Sequence, residues 1–177
     1  SLQTIVSRKL NPSLNGVVSV TEFITDGSRN ILPGSAILRG DARALSNQVN
    51  ETIEARIRQI VGGISQAHGV SAEVQYETVF TSVINSPAPV LAAQQAASEI
   101  VGLAGVDADC EPKLFSEDFA HLAAAKPGCF VLMGNGTQGK NARPLHSTDY
   151  DFNDEALTVG SSFWVQLVEQ QLSKSVV

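Results

Sequence analysis

The chain has 177 residues, 43% of them hydrophobic, a formal net charge of −6 and a pI near 5.0. That apolar content can build one ordinary domain or two small ones, and the acidic balance excludes a dominant nucleic-acid or anionic-membrane surface, which needs clustered Lys and Arg. Two cysteines, Cys110 and Cys129, are too few for a small disulfide scaffold and point to cytoplasmic thiols, while no apolar run reaches the roughly 18 to 20 residues of a membrane span.

Leu2, Ile5, Val6 and Leu10 share one face of an opening helix, and with no initiating Met this reads as a helix entered partway along, as in a trimmed or proteolysed chain, with a natural chain of processed start as the alternative. Asn11, Pro12, Asn15 and Gly16 form a turn, and Val17 to Ile24 reads as a strand ended by Asp26, Gly27 and Ser28. A second strand runs from Ser35 to Ala44, with Leu38, Gly40 and Ala42 on one side and Arg39, Asp41 and Arg43 on a polar side that meets solvent or a ligand. Ser46 caps a helix with the apolar stripe Val49, Ile53, Ile57, Ile60, Val61 and Ile64, closing near His68 and Gly69. Ala72 to Val79 alternates as a third strand. The order helix, strand, strand, helix, strand predicts an antiparallel sheet with helices on one face.

Asn85, Ser86, Pro87 and Pro89 interrupt both periodicities, so the chain divides into residues 1–84 and 85–177. The second part predicts a helix over Val90 to Leu103, a short strand at Lys113 to Phe115, a helix over Glu117 to Ala125 and a buried strand at Cys129 to Met133. A loop rich in Gly and Asn, Gly134 to Thr148, precedes a last helix starting at Asn153 or Asp154. Leu157, Phe163, Trp164, Leu167, Val168 and Leu172 should bury that helix, and Ser173 to Val177 should fray. The fold class is α/β of the α+β kind.

Three histidines are available for chemistry. His68 at a helix end and His121 among alanines read as structural or surface residues. His146 lies in a loop after a buried strand, where ligand-binding groups converge, although one imidazole supplies only one of about four zinc ligands. The run from Gly134 to Lys140 imitates a phosphate-cradling loop, but its spacing departs from that pattern and no helix follows directly, so nucleotide binding is set aside.

Pro144, Leu145, His146 and Ser147, followed by Asp151 to Leu157, resemble the C-terminal signature of the metal-dependent amidohydrolases and peptidases that include hippurate hydrolase, auxin-conjugate amidohydrolases and carboxypeptidase G. The resemblance implies that His146 is a ligand in a two-metal centre, with zinc or manganese as suitable metals. Ser116, Glu117, Asp118 and Phe119 resemble the family's Gly-Glu-Asp-Phe segment, with serine where glycine is usual. It implies that Glu117 and Asp118 stand behind the site or face substrate; as residues alone, two acids at a helix start simply suit the dipole. Asn30, Ile31, Leu32 and Pro33, then Leu38 to Arg43, resemble the family's Asn-x-Ile-Pro turn and Arg-Gly-x-x-Arg strand, with Leu32 a small departure. Asn30 and Arg43, thirteen positions apart, thereby become candidates to bind a substrate carboxylate, a task suited to an amide and a guanidinium fork.

The resemblance casts residues 1–84 as a lid and dimerisation domain without its first elements, and 85–177 as the C-terminal part of a catalytic domain. Relatives take their remaining metal ligands and their glutamate base from a segment that would precede Ser1. The expectation is therefore a fragment, inactive by itself, of an enzyme that cleaves the amide bond of N-acyl amino acids or similar carboxylate-bearing conjugates, homodimeric through its lid, with no nucleic-acid or membrane partner. The rival expectation is a non-catalytic dimerisation or binding module.

Overall fold

A computed structural model describes residues 1–172; the frayed end expected at Ser173 to Val177 lies outside them. The chain forms two compact units, one of Ser1–Ser82 with Pro112–Ala120, the other of Val83–Glu111 with His121–Val177. The observed class is mixed α/β, with one two-stranded antiparallel sheet and several helices among the described residues.

In the first unit, β1 (Gly16–Thr25) and β2 (Ala36–Ala44) pair from Gly16 opposite Ala44 to Thr25 opposite Ala36. The register slips between Val20 and Glu22. Gly40 faces this bulge, and a Cβ there would run into the Ser19 carbonyl, so only glycine lets the strands approach. α1 (Asn47–His68) starts where the Ser46 hydroxyl accepts from the Val49 amide at 3.3 Å and ends at Gly69, whose φ of 66° suits the left-handed cap. Val49 and Ile53 of its stripe join Ile5 and Val18 in the core, with Leu2, Leu10, Ala42, Ala44, Ile57 and Ile60 around them. Ile64, also assigned to the stripe, is exposed. The opening helix is reduced to one π-type turn, Ile5–Lys9, which nonetheless buries Ile5.

Three expected strands are absent, for a common reason: alternation makes an extended segment, but a strand needs a neighbouring backbone in register. Residues 72–79 are held by α1 side chains instead. Arg58 Nη1 donates to the Val74 carbonyl at 2.8 Å, Asn50 Nδ2 to Thr78 Oγ1 at 3.0 Å, and the Tyr76 hydroxyl to Asn50 Oδ1 at 2.6 Å. At Lys113 to Phe115 no ladder forms either, and the Leu114 carbonyl accepts from Arg43. In the stretch from Cys129 to Met133, the Asn85 carboxamide imitates one rung: Phe130 N donates to its Oδ1 at 2.8 Å, and its Nδ2 donates to the Phe130 carbonyl at 3.0 Å.

The second unit contains α2 (Pro87–Val101), a 3-10 turn at Leu103–Gly105, another at Gly139–Ala142 inside the expected loop, and the last helix. α3 (Phe119–Ala125) runs across the division between the units and begins two residues later than expected. α4 (Glu155–Leu172) packs on α2, and its Gln166 and Gln170 amides donate to the Glu99 carboxylate. The stripe expected to bury α4 is largely open: Trp164 is 60% exposed, Val168 51% and Leu172 65%. A single helix partner covers one side of an apolar helix, and full burial takes a further layer.

Candidate functional site

Asn30 sits at the far tip of the β1–β2 hairpin. There Ser28 and Ile31 exchange backbone hydrogen bonds of 3.1 Å each, closing a four-residue turn. The base of the loop is fastened by Asp26, whose carboxylate accepts from Ser35 N at 3.0 Å and Ser35 Oγ at 3.2 Å. The Ser35 backbone N–H is the main reason the Asp26 carboxyl lies below its ordinary value, partly offset by desolvation.

Arg43 lies at the other end of the same hairpin, opposite Val17. From Ala36 to Arg43 is seven residue steps, which at about 3.3 Å per residue is roughly 23 Å, and Asn30 lies further out beyond Ala36. The two side chains expected to share one carboxylate are therefore not brought together within one copy. Arg43 instead reaches Pro112–Ala120: its Nη1 donates to the Leu114 carbonyl at 2.8 Å, while its Nε meets Asp41 Oδ2 at 2.7 Å. Three residues beyond that anchor stands Glu117, half-buried, accepting weakly from the Phe119 amide at 3.5 Å, with Asp118 exposed beside it. Both acids occupy the first turn before α3, where carboxylates suit unpaired amide groups.

His146 is exposed and adopts φ 68°, the one positive-φ residue other than glycine among the described residues. Such a conformation is tolerated by His but uncommon, and it marks a position where the surroundings dictate the backbone. Those surroundings are built by Asn135. Its Nδ2 donates to the carbonyls of Asn141 at 3.0 Å and Asp151 at 2.9 Å, and its Oδ1 accepts from Asn153 N at 2.8 Å. Lys140 pairs with Asp151, which raises the lysine's pKa, and Arg143 pairs with Asp149 at 3.0 Å. One half-buried amide thus gathers both ends of the loop that carries His146. Next to the histidine, the Ser147 hydroxyl is buried without a hydrogen-bond partner, the kind of orphan a further group would satisfy.

In the sequence, Asp26 and Asn85 are legible only as strand-end and boundary residues, and Asn135 only as part of a loop. Each sits among glycine, serine or proline and looks like an ordinary turn former, and its long-range partners have no local signal.

Among the described residues, no group of three or more His, Cys, Asp or Glu converges as a metal cage. The donors present do not by themselves fit a metal ion, since His146 is one ligand where a closed zinc site takes four.

A family model described as Peptidase family M20/M25/M40 matches residues 8–170, a span that includes Asn30, Arg43, Glu117, Asp118 and His146. The chain belongs to this family. The M20 chain is 30% identical over 172 residues to a hippurate hydrolase of Campylobacter jejuni, covering 97% of this chain and 44% of that protein. It is 32% identical over 167 residues to an N-acetylcysteine deacetylase of Bacillus subtilis, covering 94% and 42%. Among solved structures, the Bacillus subtilis YxeP protein, described as a dinuclear metal binding peptidase from the M20 family, matches with a TM-score of 0.76 and 29% identity over 98% of this chain and 45% of that one. The M20 chain thus spans less than half the length of these relatives.

Proposed function

We propose that this M20 chain is part of a divalent-metal amidohydrolase that cleaves the amide bond of N-acyl amino acids or similar small conjugates bearing a carboxylate. The observation that carries this reading is the family match across residues 8–170, supported by relatives named for hippurate and N-acetylcysteine. In it, His146 gives one imidazole to a zinc or manganese ion whose other ligands lie elsewhere in the whole enzyme. Arg43 and Asn30 grip the substrate carboxylate, and Glu117 and Asp118 stand behind the site or face substrate. The chain by itself is inactive, because water attack on an amide needs an activated water and a base, and one imidazole with a carboxylate clamp supplies neither.

The roughly 23 Å or more between Asn30 and Arg43 favours a composite site in a homodimer, with Asn30 reaching over from one copy and Arg43 from the other. Residues 1–84 then serve as lid and dimer contact and 85–177 as part of the catalytic domain. The two free cysteines suit a cytoplasmic enzyme, and among the described residues no helix is long and apolar enough to cross a membrane.

The test is metal content. After dialysis of the whole enzyme against limiting zinc or manganese, His146→Ala is expected to retain less bound metal than wild type, with activity lost alongside. Equal metal content in the two proteins would remove His146 from the centre. A non-catalytic pairing module is the second reading, favoured by the opposed and exposed Phe23 and Leu38 on the hairpin, 68% and 53% accessible. In that case the 177-residue chain sediments as a dimer with and without added metal.

A further inference from the structure

The guanidinium of Arg43 is already engaged. Its Nε is taken by Asp41 Oδ2 at 2.7 Å and its Nη1 by the Leu114 carbonyl at 2.8 Å. A carboxylate binds arginine best through two parallel N–H groups, either Nε with Nη2 or Nη1 with Nη2. Asp41 blocks one arm of the first fork and Leu114 one arm of the second.

The two blocking groups differ in kind. The Leu114 carbonyl is neutral and belongs to the backbone of Pro112–Ala120, so it anchors and aims the guanidinium without cancelling its charge. Asp41 is a charged side chain two residues along the same strand, and the pair is open to water, with side chains 46% and 58% exposed. An exposed ion pair of this type exchanges readily. An incoming carboxylate that takes Nε and Nη2 together would replace a contact to Nε alone with a bidentate one, while the Leu114 anchor stays in place.

We propose that Asp41 is an internal stand-in for the substrate's carboxylate: it keeps the free Arg43 paired and oriented, and must be displaced before substrate binds, so it determines how tightly the enzyme takes carboxylate-bearing substrates. This rests on the proposed role of Arg43. The neighbouring pair on the hairpin separates a specific contact from a general field. Glu22 is held by Arg39 at 3.2 Å on the same two strands and carries the same charge, but it does not touch Arg43.

The experiment is steady-state hydrolysis of hippurate by the whole enzyme and its Asp41→Asn, Asp41→Glu, Glu22→Gln and Arg43→Ala variants. Removing the competitor is expected to lower KM about two- to five-fold in Asp41→Asn, the range given by exposed ion pairs. Asp41→Glu should bring KM back toward wild type and Glu22→Gln should leave it unchanged. An unchanged or higher KM in Asp41→Asn overturns the proposal, as does an equal fall in Glu22→Gln, which would report only the loss of a nearby negative charge. Arg43→Ala is read separately: if it leaves KM unchanged, the carboxylate role of Arg43 itself fails, whereas a raised KM there with no effect of Asp41→Asn removes only the stand-in.

Discussion

Asp26 and Arg43 are both charged residues on the same hairpin, yet their environments give them different tasks. Asp26 turns inward on its own loop and takes two hydrogen bonds from Ser35, so it fixes the base of the loop that presents Asn30. Its folded pKa lies below the ordinary carboxyl value of 3.8, and the sign of the linkage follows: the carboxylate's contribution is present above that value and is lost as pH falls through the lowered folded pKa. The Ser35 amide resonance should therefore titrate with a midpoint under 3.8 and stay flat in Asp26→Asn; a midpoint at or above 3.8 would mean the clasp does not form. The motif makes Arg43 a candidate carboxylate binder, but its choice of Asp41 and Leu114 as partners is invisible in the sequence, since Leu114 lies 71 positions away.

At the scale of elements, α1 is the best-determined piece of the chain, because cap, stripe and terminal glycine all agree on one helix. Its Ile53 is fully buried against Ile5, Val18 and Val49. Ile53→Ala should cost about 2–5 kcal/mol in urea unfolding, by lost burial plus the cavity left behind, whereas Ile64→Ala, at a position 44% exposed, should cost well under half of that. Equal losses would place the core elsewhere. The extended segments failed as strand predictions for the opposite reason. A helix closes its hydrogen bonds within itself, so local pattern suffices, but a strand depends on a partner that local pattern does not name. The α4 stripe was legible as apolar, and what covers its Trp164 side was not, because burial belongs to the neighbour as much as to the helix.

For the whole molecule, the separation of Asn30 from Arg43 has a direct consequence. If one site takes Asn30 from one copy and Arg43 from its partner, two inactive variants can repair each other. Whole-enzyme Asn30→Ala and Arg43→Ala, mixed after subunit exchange, should recover about a quarter of wild-type activity, since half the dimers are mixed and each mixed dimer retains one intact site of two. No recovery, with mixed dimers demonstrated by mass, would mean that both residues act within one copy or that one of them has no part in the site.

The sequence alone determined the mixed α/β class, α1 with its caps and core stripe, the hairpin strands, and the family, because these rest on periodicity, capping chemistry and motif residues close together in the chain. Tertiary structure decided what those residues do to one another: that Asn135 gathers the loop of His146, that Arg43 is anchored at Leu114 and paired with Asp41, and that Asn30 and Arg43 stand at opposite ends of one hairpin. Long-range hydrogen bonds and distances arise from how the elements pack, and no local run of residues encodes them.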